Sequence, residues 1–184
     1  MATIEQLKAL QKPLNVSDID FRVQTVKEKG CSLLGYKDAR VDMKRLDEAV
    51  GIGHWRNEFH RDTKGVLQCT ISIYVDDLKE WVSKTSNGTE SFADSQKGEY
   101  SDAFKRAGFM WGIGRELYDL PFIWVNFTQG EVTSAVVGGK KIWRPTFNFK
   151  PNEWTWAVKS REGGGELMVY AKDQHGKLRF NSAK

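Results

Sequence analysis

Long apolar runs are missing from this chain of 184 residues; the longest, such as Gly108 to Ile113 and Pro121 to Val125, stop early. A bilayer-spanning helix needs roughly 20 such residues, so no segment reads as a membrane span. Cysteine is scarce as well: Cys31 and Cys69 stand alone, without CxxC spacing. That excludes a zinc site built on thiolates, suits a reducing compartment, and leaves both thiols to read as small buried apolar residues. The three histidines are too scattered for a metal site. On one strand His54 and His60 would lie roughly 20 Å apart at about 3.3 Å per residue, and His60 facing Cys69 across a hairpin supplies only two ligands. No Ser, His and Asp arrangement emerges from the spacing. The segment Met1 to Leu7 has no basic stretch followed by an apolar run, so no secretory signal is expected there and a cytoplasmic location is.

Charge is present in both signs, 28 Lys and Arg against 24 Asp and Glu, but unevenly placed. Ten basic and four acidic residues fall from Gly139 to Lys184, which gives that tail +6 and the preceding 138 residues −2. A polyanionic partner is the implication. With 40% hydrophobic and 12% aromatic residues the chain can bury a core of its own.

The order of elements follows from periodicity. Ile4, Leu7 and Leu10 recur at helical spacing before Pro13. Phe21 to Val26 and Ser32 to Tyr36 read as two strands around a Lys29-Gly30 turn. Asp38 is placed to cap a helix whose inward face would be Ala39, Met43, Leu46 and Val50, ended by Gly51. Three strands follow, Trp55 to His60, Leu67 to Val75 and Glu80 to Lys84, with turns at Asp62-Thr63-Lys64-Gly65 and Asp76-Asp77. A polar loop is expected over Ser86 to Gln96, then a long helix from between Asp94 and Ser101 to Tyr118, closed by Pro121. Beyond it lie β-hairpins separated by Gly138-Gly139, Gly163-Gly164-Gly165 and Asp173 to Gly176. The expected fold is therefore α+β: a strand-strand-helix-strand-strand-strand-helix core at residues 1–125, its antiparallel sheet packed on a long helix. A basic, aromatic-rich, β-hairpin extension follows at 126–184.

Enzymatic motifs are weak throughout. Gly112-Ile113-Gly114 lacks the third glycine of a dinucleotide fingerprint and falls in a helical pattern, where close packing explains it. Gly138-Gly139-Lys140-Lys141 lacks the spacing of a phosphate loop. Asp62, Asp77 and Lys79 faintly echo the carboxylates and lysine of a Mg²⁺-dependent nuclease, although both acids fall at expected turns. The stronger constellation is the helix from Tyr100 to Arg115. Phe104, Ala107, Trp111 and Gly114 form a buried stripe there, and Lys105 and Arg106 project about 100° apart beside it, spaced to meet successive phosphates.

Several separated stretches carry a family likeness. Ser101-Asp102-Ala103-Phe104-Lys105-Arg106-Ala107 with Trp111-Gly112-Ile113-Gly114-Arg115, Tyr36-Lys37-Asp38-Ala39-Arg40, Leu46 to Gly51 with Trp55, and Phe21-Arg22-Val23-Gln24 stand in order. Over about residues 15 to 125 the chain resembles the Rad-fifty-two and phage Sak annealing proteins. The resemblance implies a homo-oligomeric ring or filament that holds single-stranded DNA in a basic groove and anneals complementary strands in recombination and repair, with no nucleotide, metal or other cofactor. Lys105 and Arg106 match the family's DNA-contacting helix pair and Tyr36 its tyrosine, while Arg22 and Lys27 are alternatives for its hairpin cation. Arg56 and Lys97 complete the candidate set. A host or phage single-strand binding protein is the further partner to expect. Rival readings are the nuclease above and a structural, recombinase-loading partner. The tail departs from the family's eukaryotic members. Its Trp143, Phe147, Phe149, Trp154 and Trp156, set among Lys140, Lys141, Arg144, Lys150 and Lys159, could stack bases or fill a β core, and packing is the favoured reading.

Overall fold

The computed structural model describes residues 2–89, 95–159 and 167–183, with residues 95–97 described by backbone alone. The Gly163 to Gly165 turn and positions 90–94 of the expected loop lie outside the described residues. Three α-helices and eleven strands are described: α1 (Ile4–Leu7), β1 (Asp20–Val26), β2 (Gly30–Tyr36), α2 (Ala39–Val50), β3 (Trp55–Arg61), β4 (Leu67–Val75), β5 (Glu80–Asn87), α3 (Ser95–Met110) and β6 (Ile123–Asn126). The tail supplies β7 (Val132–Val137), β8 (Lys140–Pro145), β9 (Thr155–Lys159), β10 (Met168–Lys172) and β11 (Leu178–Asn181). The class is α+β, with every strand pair antiparallel. No helix among the described residues is long and apolar enough to cross a membrane.

The chain forms two compact units, residues 1–14 with 37–115, and residues 15–36 with 116–184. In the first, β3, β4 and β5 make one sheet with β4 in the middle. The strict alternation of β4 sends Leu67, Cys69, Ile71, Ile73 and Val75 to one face, where Leu46, Val50, Phe104, Ala107, Trp111 and Ile113 join them in a single core. Burying each large apolar side chain there contributes roughly 1.5 to 3 kcal/mol, which fixes the register, because a one-residue slip would turn the whole set outward. The other face is hydroxyl-rich: Thr70 faces Thr85 and Ser72 faces Ser83, each pair hydrogen-bonded at 2.8 Å.

Helix α2 begins as expected, Asp38 accepting the Arg40 N–H at 2.8 Å, and ends at Gly51 in the left-handed region with φ 88°. Its inward face differs from the one expected. Met43 is exposed, and Asp42 is fully buried in its stead. The reason is a partner: Lys37, only 5% exposed, forms an ion pair with the Asp42 carboxylate. Helix α3 also stops earlier than the apolar pattern suggested, at Met110 instead of Tyr118. Gly112, with φ 102°, lets the chain turn back, so that the Ile113 N–H reaches the Gly108 carbonyl at 3.1 Å and the Gly112 N–H that of Phe109 at 2.9 Å. That is a Schellman closure. Arg115 and Lys84 then donate to the exposed carbonyls of the last turn, at 2.9 Å each to Met110. Gly112-Ile113-Gly114 therefore lies past the helix and terminates it.

In the second unit, β2 lies between β1 and β6. Gly30 starts β2 because a side chain there would meet the Val125 carbonyl at 2.4 Å. Phe21, Cys31, Leu33, Ile123 and Val125 form the inner face. The tail adds the β7–β8 ribbon and a sheet in the order β11-β10-β9. Its aromatics mostly pack, as favoured: Trp156 stacks on Phe21 at 3.6 Å between ring centres, Phe149 meets Trp154 edge-on at 5.3 Å, and Phe149 and Trp154 are buried. Phe147 departs from this, with 84% of its surface exposed.

Candidate nucleic-acid interface

In the first unit Phe104 and Ala107 of α3 are buried as the periodicity required, and Trp111 and Gly114 are buried too, although they lie in the turn past its end. Trp111 is also tied to the sheet by its indole N–H, which donates to the Ile71 carbonyl at 3.0 Å. This anchoring sets the direction in which Lys105 and Arg106 leave the helix. Lys105 is half-buried, and among the described residues it forms no ion pair. It stands within electrostatic reach of Asp38 and Asp42. Arg106 is exposed but engaged, its Nε donating to Asp102 at 2.8 Å while Thr89 donates to the same carboxylate oxygen from its N–H and hydroxyl. Burial works to raise the Asp102 carboxyl, and the bonds from Arg106 and Thr89 outweigh it, so the group sits below the usual carboxylate range.

Under this helix lies the group that sequence reasoning missed. Burial pushes the Asp42 carboxyl up to about 6 although Lys37 pulls the other way, and its Oδ2 has no hydrogen-bond partner among the described residues. Gly108 and Gly114 make room for the pair. A Cβ on Gly108 would fall 2.2 Å from Asp42 Oδ1, and one on Gly114 2.6 Å from the Lys37 side chain. The only advance sign was an acid at an i+3 position of the inward face, three residues after Ala39.

Arg56 belongs to the opposite side of this sheet from α3, paired in register with Ser72 and held over the Trp81 ring at 4.3 Å. The structure does not bring it to Lys105 or Arg106. The Lys97 side chain lies outside the described residues. Asp62 and Asp77 sit at opposite ends of the nine-residue β4, roughly 30 Å apart at about 3.3 Å per residue. Each is occupied locally: Asp62 accepts the N–H groups of Lys64 and Val66 at 2.9 Å, and Asp77 accepts that of Ile4 at 2.8 Å. They do not form one metal centre. His60 pairs with Gln68 in register, so its side chain and that of Cys69 point to opposite faces.

In the second unit the outer face of the β1–β2–β6 sheet brings Arg22 and Tyr36 together. Arg22 pairs with Leu34, and its guanidinium lies 5.3 Å from the centre of the Tyr36 ring. Lys27 is exposed at the far end of the hairpin, five residues along the chain from Arg22. The same face continues onto β6, where Trp124 pairs with Ser32 and stacks near Phe122, at 6.5 Å between ring centres. Phe122 is 73% exposed. Both rings were legible in the alternation of Phe122, Trp124 and Asn126 with Ile123 and Val125, but the shortness of the run hid it.

Both cysteines are inert in this setting, burial pushing each thiol up to about 12.

Residues 3–134 match the family described as Rad52/22 family double-strand break repair protein, and the chain belongs to that family. It is similar to two curated proteins, each called single-stranded DNA-binding protein DdrA. The one from Deinococcus deserti is 28% identical over 91% of this chain and 78% of its own length. The one from Deinococcus radiodurans is 31% identical over 77% of this chain and 62% of its own length.

Proposed function

We propose that this protein binds single-stranded DNA and anneals complementary strands as a homo-oligomer, without nucleotide, metal or bond chemistry. The observation that carries the reading is the outer face of the β1–β2–β6 sheet. A guanidinium, Arg22, is held beside the half-exposed ring of Tyr36, and the same face carries the rings of Phe122 and Trp124 on the far side of β2. Cations neutralise the backbone without reading sequence, and aromatic rings accept any base, which leaves Watson–Crick edges free to test a second strand. Lys105 and Arg106 supply a second row of phosphate contacts from α3. Arg22, beside Tyr36, is the hairpin contact in preference to Lys27. Family membership and the DdrA relatives support the same reading.

Repeating modest contacts in each subunit of an oligomer makes the strand dwell through avidity. Residues 1–125 serve as the annealing core and residues 126–184 as an added β extension. A cytoplasmic location and a single-strand binding protein as partner belong to the same proposal.

The test is fluorescence anisotropy of a labelled oligonucleotide over a salt series, with an annealing assay beside it. Lys105→Ala and Arg106→Ala should keep oligomer size and melting temperature. Each should lower the salt slope by roughly 0.7 per contact removed on single strands and slow annealing. Arg106→Ala also breaks a half-exposed i,i+4 pair, a loss of only about 0.3 to 0.5 kcal/mol. Wild-type annealing rates in both variants at every salt concentration would refute the placement on α3. Strands shortened in the presence of Mg²⁺ would refute the non-enzymatic reading.

A further inference from the structure

We infer that the tail carries a second contact for single-stranded DNA, a cleft where one base stacks on Phe147 and the adjoining phosphates meet Lys150 and Lys177. The inference rests on the single-strand binding proposed above and extends it to the β-rich tail.

The cleft measures about 480 Å³, and Thr128, Gln129, Asn148 and His175 line it together with Phe147 and the two lysines. That is enough for a nucleotide, since small-ligand sites run from about 300 to 1,000 Å³. Two tight turns form its walls. In one, Thr146 donates its N–H to the Glu131 carbonyl at 2.9 Å and its hydroxyl to Gly130 at 2.6 Å, and Asn148 donates its amide to Gly130 at 3.3 Å. In the other, the Asp173 carboxylate accepts the N–H groups of His175 and Lys177, each at 3.0 Å.

A buried ion cluster ties the two walls together. Arg179, its side chain 4% exposed, makes two bonds of 2.8 Å to the Glu131 carboxylate and a third of 3.4 Å to Asp173. The same guanidinium lies over Trp154 at 4.6 Å. The walls are thus fixed in advance, and fixed walls lower the entropic cost of binding.

Phe147 is held on the first of these turns yet contributes nothing to the core, being 84% exposed between half-buried Thr146 and buried Phe149. A phenyl ring held in water on a rigid turn is what base stacking requires. The two carboxylates of the floor, Glu131 and Asp173, exceed the single Arg179 by one charge, and Lys150 and Lys177 on the rim turn the balance of the lining to +1. Lys150 also reaches Glu153 at 3.0 Å, but both side chains are about half exposed, and surface pairs of that kind yield readily to a phosphate.

The experiment uses the whole protein with long oligothymidylate bearing 5-iododeoxyuridine. Irradiation should crosslink the strand to Phe147, mapped by mass spectrometry, and Phe147→Leu should abolish that crosslink. Phe147→Ala should weaken binding by about ten-fold with an unchanged salt slope, whereas Lys177→Gln should lower the slope. Neither should move the melting temperature, because both side chains are exposed. If the wild type binds the strand, yet no crosslink reaches Phe147 and Phe147→Ala binds as tightly as wild type, this site is wrong and the wider reading stands. If the wild type binds no single strand at all, the wider reading fails and this one with it.

Discussion

Asparagine at position 42 would isolate the effect of burying a carboxyl beneath α3. An aspartate in water titrates near 3.8, the state of Asp42 in the unfolded chain, and burial carries the folded carboxyl up to about 6. Below about pH 4 both states are protonated and the difference vanishes. Between about 4 and 6 the folded protein keeps a proton that the unfolded chain has released, so this group's contribution to stability falls as pH rises. Above about 6 both states are ionised and the loss is complete. The slope cannot exceed about 1.4 kcal/mol per pH unit, and over roughly two units the total is on the order of 3 kcal/mol.

Other carboxylates act in the opposite sense. Hydrogen bonds led by Arg40 hold Asp38 low, those from Arg106 and Thr89 hold Asp102 low against burial, and those from Arg179 and Thr128 do the same for Glu131. Their stabilisation is present above their ordinary values and fades in acid, which masks Asp42 in the raw profile. The difference between wild type and Asp42→Asn removes them. Urea unfolding followed by tryptophan fluorescence, in steps from about pH 4 to 7, should show wild type losing ground to Asp42→Asn as pH rises. A difference that is flat, or of the opposite sign, would mean that Asp42 is not desolvated as described.

Trp111→Ala should cost about 3 to 5 kcal/mol in urea unfolding and disturb assembly, since it empties a ring-sized space and removes the bond to Ile71. Trp111→Phe should cost much less, and equal losses would contradict the packing described. Gly108→Ala sets two effects against each other: alanine favours a helix by about 1 kcal/mol, but its methyl would lie 2.2 Å from Asp42 Oδ1. The clash should win, with a net loss of about 1 to 3 kcal/mol, and a raised melting temperature would disprove the close approach.

Where one force dominated, the sequence was easily read. The alternation of β4 has one solution for a half-buried strand, and the spacing of Phe104, Ala107 and Trp111 has one for a packed helix. Errors arose where a polar or turn interaction overrode apolar periodicity. Met43 was expected inside because it is apolar, but Lys37, five residues before Asp42 and outside α2, draws that carboxylate inward, and apolar periodicity does not register a charge pair. The end of α3 was misjudged because Ile113 and Leu117 prolong an apolar rhythm through Gly112, whose φ no periodicity reveals. Of the candidate DNA contacts, Lys105, Arg106 and Tyr36 were suggested by the resemblance. The register of β6 was needed to put Phe122 and Trp124 on the same sheet face as Arg22.

The discontinuous path of the chain bears on its synthesis. Everything that builds the β3–β4–β5 sheet and α3 has left the ribosome by residue 115, whereas β2 finds its partner β6 only after residues 123–126 have emerged. During that interval β2 has an unpaired edge, its Cys31, Ser32 and Leu33 still without Val125, Trp124 and Ile123. Phe21 waits longer still, for Trp156. A two-stranded hairpin is marginal by itself in water, so this is the stage most open to aggregation and to chaperones. A fragment ended at residue 115 would hold the chain in that state, with its first unit complete and its second unfinished.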